Sequence, residues 1–218
     1  MAPIIPTVFA QNKFQFKKRF SKLIKISKNI QIDFMDGKFV KSKSVKIRQI
    51  PNLKIYPNNF EAHLMTKNPE KSIIQLKQKG FKKVIFHIES TKNSGKIIKK
   101  IKSQKMQAWL AINPETPLKS IIPYTSKVQG ILFLGVKPGK EHQSFIPQVY
   151  KKIQALRKIN NKIPIQVDGG INNSTLPKLA KLKVNYINSG SFISDSKNPK
   201  QTYKNLVQLF NTLRGEQC

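Results

Sequence analysis

The stretch PIQVDGGINNSTLPKLAKLKVNYINSGS, residues 164–191, decides the fold because it contains a complete strand–helix–strand unit. Pro164–Val167 and Val184–Asn188 are short and apolar on both faces, which is typical of strands buried in a parallel sheet. Between them, Ser174 is expected to cap a helix that has Pro177 in its first turn. The unit therefore predicts two parallel strands joined by a crossover helix.

The same alternation of short apolar runs and helical segments extends along the rest of the chain. The other strand candidates are Ile4–Phe9, Ile30–Phe34, Glu61–Leu64, Val84–Ile88, Gln107–Ile112 and Gly130–Val136. Between Asp36 and Asn59 no large helix is evident, and we expect mostly loop. Eight strands with crossovers favour an α/β fold, a single (β/α)8 TIM barrel domain over residues 1–218. A doubly wound open sheet also alternates strands and helices, but it rarely needs eight strands in a chain of this length.

Composition limits the class of protein. The apolar fraction is 39%, above the range of disordered chains. No segment approaches the ~20 apolar residues of a membrane span, and the N-terminal sequence lacks the pattern of a secretory signal. The single cysteine, Cys218, excludes an intrachain disulfide framework and a multi-cysteine zinc module. We therefore expect a reduced, cytoplasmic protein with no membrane partner.

The charge balance is strongly basic, with 41 basic and 10 acidic residues and a net charge of +31. Such an excess attracts nucleic acid, anionic lipid or phosphorylated ligands. Only four of the basic residues are arginine, the side chain that reads bases through a bidentate fork, and the lysines are spread along the chain. We therefore do not expect nucleic acid as a specific partner; compositional drift explains the charge better, and a polyanion-binding surface is the alternative.

Chemically active side chains occur where the predicted strands end, which is the functional rim of such a barrel. Alternation places Gln31 and Asp33 on the same side of their strand, so both can point into the barrel. With His63 and Asp168 they bring an amide, two carboxylates and an imidazole together from three strands. Each residue alone has a structural explanation, as a helix cap, a turn or a core histidine. Their joint placement favours a site.

Glycine follows the last two predicted strands, as Gly169-Gly170 and Gly190-Ser191. Barrels of this kind bind phosphate at these two strand ends through backbone N–H groups. Glycine allows the backbone to approach a ligand closely. The pattern indicates a phosphorylated ligand.

Seven segments that follow predicted strands or include their ends occur in order along the chain. They are Asp33–Val40, His63–Met65, Phe86–Glu89, Asn113–Pro117, Val136–Gly139, Val167–Ile171 and Gly190-Ser191. Together they resemble the ribulose-phosphate 3-epimerase family over nearly the whole chain. The resemblance implies a TIM barrel of the ribulose-phosphate-binding type. It also implies a divergent member with an altered metal-ligand set.

The resemblance implies an isomerase that interconverts D-ribulose 5-phosphate and D-xylulose 5-phosphate in the pentose phosphate pathway. Such an enzyme removes the C3 proton to give an enediolate and returns a proton to the opposite face. By matching motif, Asp33 and Asp168 would be the catalytic groups. One divalent metal ion (Zn, Mn, Fe, Co or Mg) would be bound by Asp33, His63 and Asp168. Gln31 stands where the family has its other metal-binding histidine.

The same resemblance implies the residues that contact a small-molecule sugar phosphate. They are His63, Gly139, Lys140, Glu141, His142, Gly169, Gly170, Gly190 and Ser191. Members of the family often form homo-oligomers, although no interface patch is evident in this sequence.

Three departures from the family pattern bear on activity. An amide oxygen at Gln31 is a weaker and harder ligand than imidazole, so we expect lower metal affinity and a preference shifted from Zn²⁺ towards Mn²⁺ or Mg²⁺. Ala10 replaces a serine that contacts substrate. Glu141 would repel phosphate unless Lys140 or His142 offsets its charge.

These departures keep two other functions open. One is a catalytically impaired barrel that still binds a sugar phosphate. The other is an epimerase for a different ketose phosphate, such as allulose 6-phosphate, which the Glu141 loop and Ala10 suggest.

Overall fold

A computed structural model describes residues 3–215; Cys218 lies outside the described residues, as do both ends of the predicted 1–218 domain. Eight parallel strands close into a barrel in the order β1 to β8, with β8 pairing back onto β1. The strands are β1 Ile4–Val8, β2 Asn29–Met35, β3 Asn59–Met65, β4 Lys83–His87, β5 Gln107–Ile112, β6 Gly130–Leu134, β7 Ile165–Asp168 and β8 Tyr186–Ser189. The predicted (β/α)8 barrel is confirmed.

The helices surround the barrel in chain order. They are α1 Lys13–Leu23, α2 Ile73–Lys79, α3 Ser94–Ser103, α4 Gln148–Ile159, α5 Leu176–Lys181, α6 Ser191–Ser194 and α7 Pro199–Arg214. Two crossovers contain short 3-10 turns and no α-helix, namely those from β2 to β3 and from β5 to β6. The first of these confirms the prediction that residues 36–59 are mostly loop.

The predicted cap of α5 is wrong. The helix begins at Leu176 with Thr175 at its N-cap, and Ser174 lies one residue too early to cap it. Asn172 explains the shift, because its Oδ1 accepts hydrogen bonds from the backbone N–H groups of Ser174 and Thr175 at 2.9 and 3.1 Å. The Ser174 hydroxyl also donates to this oxygen, at 2.7 Å, so it is engaged in the turn rather than in the helix.

An apolar layer fills the space between the strands and the helices, as in other barrels. Inside the barrel, a smaller apolar cluster contains Trp109 and Leu132. Gly130 makes room for it, since a Cβ there would lie 2.4 Å from the Trp109 ring. The remaining interior is polar and buried, and consists of Gln31, Glu61, Lys83, Gln166 and Asn188 among others. These polar residues lie directly beneath the strand ends.

Among residues 3–215, none of the helices combines the length and the apolar character needed to cross a bilayer.

Candidate functional site

A pocket of about 290 Å³ opens at the C-terminal rim of the barrel, and we call it the rim pocket. Its walls come from the ends of β1, β2, β3, β6, β7 and β8 and from the loops that follow them. Every predicted site residue except Gln31 lines this pocket. Gln31 is fully buried just beneath it, two residues before Asp33 on β2.

Three metal-binding side chains converge at the floor of the rim pocket. Asp33 on β2 pairs in register with His63 on β3, and Asp168 ends β7. The His63 Nδ1 atom lies 3.1 Å from Asp33 Oδ1 and 3.7 Å from Asp168 Oδ2. One ligand atom from each residue falls within 4.8 Å of the other two. The structure therefore brings together the carboxylates and the imidazole that the sequence pattern grouped.

A chain of hydrogen bonds sets which nitrogen of His63 faces this cluster. Glu89 Oε2 lies 3.3 Å from His87 Nδ1, and His87 Nε2 lies 2.9 Å from His63 Nε2. Because a carboxylate only accepts, His87 carries its proton on Nδ1 and accepts at Nε2 from His63. In the neutral form of His63 the lone pair is then on Nδ1, directed at Asp33 and Asp168. We call Glu89, His87 and His63 the imidazole chain.

The titration behaviour of the cluster follows from its burial and its charges. Burial and the nearby charge of Asp33 raise the pKa of Asp168 to about 7, against the opposing effect of His63 and Gln31. Burial lowers the pKa of His63, but the hydrogen bond and the negative charge of Asp33 outweigh it and leave this pKa raised. Burial lowers the pKa of His87 and keeps it neutral. Without another cation, a proton therefore has to balance this cluster.

A divalent metal fits the same cluster. Once His63 is neutral, its Nδ1 and the two carboxylate oxygens are all acceptors, and acceptors this close repel unless a cation lies between them. Imidazole and carboxylate are the donor types that bind Zn²⁺ and Mn²⁺ in proteins. Asp33, His63 and Asp168 could therefore hold one divalent ion.

Gln31 faces the cluster with its nitrogen. Its Nε2 donates to Asp33 Oδ1 at 3.0 Å and to Asp168 Oδ2 at 2.6 Å. Its Oε1 points away and accepts from Gln166 Nε2 at 3.3 Å. In this orientation the amide is a hydrogen-bond donor to both carboxylates.

Glycine-containing loops make another part of the wall of the rim pocket. Gly139, Gly169, Gly170, Gly190 and Ser191 all line it. Gly170 has a φ of +69°, and a Cβ there would meet the Phe145 backbone at 2.8 Å, so no other residue fits without rearrangement. This close-packed loop exposes backbone to the pocket, as a phosphate site requires.

Glu141 reaches into this wall, and its charge is balanced by a residue that the sequence pattern did not reveal. Arg19 on α1 donates from its NH1 group to Glu141 Oε2 at 2.8 Å and from NH2 to both carboxylate oxygens of Asp195 at 3.1 Å. Lys140 is exposed, and His142 is exposed with its Nε2 3.7 Å from Asp195 Oδ2. Arg19, and not Lys140 or His142, therefore forms the ion pair with Glu141. The second Glu141 oxygen, Oε1, is buried without a hydrogen-bond partner among the described residues.

Other functional candidates emerge only from the structure. His87 and Glu89 fall in a segment that carried the family resemblance, yet no spacing rule gave them a role. Lys83 and Gln166 look like ordinary strand residues in the sequence. Ala10 is buried in the apolar layer and does not line the rim pocket.

Comparison with known proteins gives a consistent result. The model of the family described as "Ribulose-phosphate 3 epimerase family" matches residues 3–194. The ribulose-phosphate 3-epimerase of Schizosaccharomyces pombe is 28% identical over 210 residues, covering 94% of this chain and 92% of the relative. That of Buchnera aphidicola subsp. Baizongia pistaciae is 34% identical over 192 residues, covering 84% of each chain.

Among solved structures, orotidine 5'-phosphate decarboxylase from Pyrococcus horikoshii OT3 superposes with a TM-score of 0.65. The match covers 95% of this chain and 99% of that one, at 14% sequence identity. At this identity the likeness shows the shared barrel fold alone.

Proposed function

Since the chain belongs to the ribulose-phosphate 3-epimerase family, a family of isomerases, we propose that it interconverts D-ribulose 5-phosphate and D-xylulose 5-phosphate. The observation that carries the proposal is the buried cluster of Asp33, His63 and Asp168, which shares one pocket with a glycine-lined wall. The cluster offers proton-transfer groups, and the wall offers backbone N–H groups for a phosphate. The reaction would place the enzyme in the cytoplasmic pentose phosphate pathway.

The proton transfer needs one carboxylate that is ionised and one that carries a proton. The ionised aspartate takes the C3 proton, and the electrons of the C–H bond form the enediolate between C2 and C3. The protonated aspartate then delivers its proton to the opposite face of C3. In the metal-free cluster, Asp168 is the aspartate that carries the proton, because burial and Asp33 raise its pKa to about 7. In the reverse direction the two aspartates exchange roles.

The remaining residues support this step. A divalent metal bound by Asp33, His63 and Asp168 would stabilise the negative charge that develops on the substrate oxygen. His63 is oriented by the imidazole chain, and Gln31 donates to both carboxylates. The pocket floor is nearly closed to solvent, since Asp33 is 7% and His63 1% exposed. Water therefore has little access to the reacting carbon.

One observation favours a second candidate, an epimerase for a larger ketose phosphate such as allulose 6-phosphate. Glu141 lines the rim pocket with its side chain 18% exposed, so its carboxylate could accept a hydrogen bond from an additional substrate hydroxyl. Turnover on five-carbon and six-carbon ketose phosphates distinguishes the two candidates. A catalytically impaired, sugar-phosphate-binding barrel would bind such ligands without turnover.

The proposed reaction is tested by proton exchange at C3. Purified protein is incubated in D₂O with Mn²⁺ and either pentulose phosphate, and the C3 proton is followed by NMR. We expect deuterium at C3 together with formation of the other epimer. Asp33→Asn and Asp168→Asn should each lower epimerisation by about 10²–10⁴-fold.

The two variants also act as controls for each other. Each removes the base on one face only, so each should retain exchange in one epimer and lose it in the other, with opposite preferences. Absence of exchange in both epimers, with every divalent metal tried, would contradict catalysis on this substrate.

A further inference from the structure

A set of polar side chains is buried inside the barrel, immediately below the carboxylates. Gln31, Gln166 and Asn188 are fully buried, and Glu61 and Lys83 are 6% and 8% exposed. At this depth each donor has to face an acceptor, because an unpaired buried polar group costs about 1–3 kcal/mol. The orientation of every amide in the set is therefore determined by its neighbours.

Lys83 fixes the orientation of the Gln166 amide. Its ammonium group has donors only, and its Nζ lies 2.8 Å from Glu61 Oε2 and donates also to Gln166 Oε1. The Trp109 ring lies on another side of this ammonium group, 3.5 Å from Nζ to the ring centroid. The oxygen of Gln166 is thus directed at Lys83, since an amide NH₂ in its place would meet another donor.

The other end of Gln166 is surrounded by acceptors. Its Nε2 lies 2.5 Å from Glu61 Oε1, 2.5 Å from Asn188 Oδ1 and 3.3 Å from Gln31 Oε1. Reversing this amide would place its oxygen against the Glu61 carboxylate and its NH₂ group against the ammonium. Both ends of Gln166 therefore require the same orientation.

Gln166 in turn fixes the orientation of the Gln31 amide. Because Gln166 donates to its Oε1, the Nε2 of Gln31 has to face the rim pocket, where Asp33 Oδ1 and Asp168 Oδ2 accept from it. A reversed Gln31 would direct its nitrogen at the nitrogen of Gln166 and its oxygen at two carboxylates. We call Lys83, Gln166 and Gln31 the amide chain.

We propose that Gln31 is a positioning residue that holds Asp33 and Asp168 through its N–H groups and does not bind the metal through its oxygen, and that Lys83 sets this orientation through Gln166. The inference rests on the proposed function only in placing the metal at Asp33, His63 and Asp168. It gives the metal three protein ligands. A site with three protein ligands leaves positions open for substrate.

The test reverses the direction of hydrogen-bond donation along the amide chain and leaves the net charge of the buried set unchanged. In the double variant Glu61→Gln/Gln166→Glu, Lys83 still faces one carboxylate, but position 166 can only accept. Gln31 then has to turn its NH₂ towards position 166 and its oxygen towards the cluster. Affinity for Mn²⁺, measured by EPR of the free ion without any sugar phosphate, should rise about tenfold or more.

Gln31→Ala is the matched control in both backgrounds. In the double variant it should abolish the gain in Mn²⁺ affinity. In the native background it should lower the affinity about 10–100-fold, the effect of losing a residue that supports metal ligands. Circular dichroism and thermal unfolding confirm that each variant is folded.

Two results would overturn the proposal. Unchanged Mn²⁺ affinity in Gln31→Ala alone would show that the amide does not position the metal-binding carboxylates. A folded double variant with unchanged or absent Mn²⁺ binding would show that Gln166 does not control Gln31. If the double variant does not fold, Gln166→Met in the native background decides. It removes the donor that faces Gln31 Oε1, so a rise in Mn²⁺ affinity supports the proposal and an unchanged affinity contradicts it. The titration contains no substrate, so its outcome is independent of whether the protein epimerises ribulose 5-phosphate.

Discussion

The imidazole chain and the amide chain reach the same two carboxylates from opposite sides, and they start from opposite charges. The imidazole chain starts at the Glu89 carboxylate, so each member donates towards Glu89 and the last one, His63, presents a lone pair. The amide chain starts at the Lys83 ammonium, so each member donates away from it and Gln31 presents N–H groups. The charge at the far end of each chain therefore determines what the end at the carboxylates offers.

This comparison separates two tasks within one site. The imidazole chain supplies a ligand for a cation, and the amide chain supplies donors that hold the carboxylates in place. Neither task could be exchanged between the chains without changing the charge at the far end. Substitutions that interrupt each chain test this comparison, as does the titration of the carboxylates between them.

The largest effect is expected from interrupting the amide chain at its charged end. Lys83→Met leaves Glu61 as an unpaired buried carboxylate, so we expect a loss of about 3–5 kcal/mol in the free energy of unfolding. Urea denaturation measures it. Lys83→Met combined with Glu61→Met removes both charges and should recover most of the loss. A loss below about 1 kcal/mol in the single variant would show that the pair is not sealed from water.

An intermediate effect is expected from reversing the imidazole chain. In Glu89→Gln, the amide oxygen remains paired with the backbone N–H of Asn113, 2.9 Å away in the native protein, so the new NH₂ group has to face His87. The protons of His87 and His63 then shift, and His63 presents N–H to the cluster in place of a lone pair. Metal affinity should fall about 10–100-fold by Mn²⁺ titration.

Glu115→Gln is the matched control for this experiment, because Glu115 and its partner Lys137 are both largely exposed. Its Mn²⁺ affinity should equal that of the native protein. Equal losses in the two variants would point to general electrostatics and away from the imidazole chain.

The smallest effect is a pH dependence of stability in metal-free protein. Burial and Asp33 raise the pKa of Asp168 to about 7, so the folded state binds this proton more tightly than the unfolded chain does. The stability contributed by Asp168 is therefore fully present below about pH 4 and is lost as the pH rises through about 7. Urea denaturation with chelator at about pH 5 and about pH 8 should show the loss in the native protein and a smaller one in Asp168→Asn. An identical pH dependence in both proteins would contradict the raised pKa.

Much of this organisation could be predicted from the sequence, because it depends on local patterns. Short apolar runs that alternate with segments of helical periodicity predict the barrel. The positions of Asp33, His63 and Asp168 at strand ends predict that they form one cluster. The cap of α5 was misplaced because the side chain of Asn172, a competing acceptor two residues earlier, takes the Ser174 hydroxyl.

The long-range contacts could not be predicted from local patterns. Lys83 meets Gln166 across 83 residues of sequence, and Arg19 meets Glu141 across 122. Both contacts depend on the barrel closing in one register and on which crossover lies beside which loop. A single sequence contains no periodicity that reports either distance.

Trp109 is the chain's only tryptophan, and it lies inside the barrel with the Lys83 ammonium against its ring. Its fluorescence therefore comes from a single known position, 3% exposed in the folded state. Opening of the barrel exposes this indole to water and separates it from the cation, so emission wavelength and intensity change together. The protein thus carries an intrinsic optical probe beside Lys83, at the charged end of the amide chain, and it needs no added label.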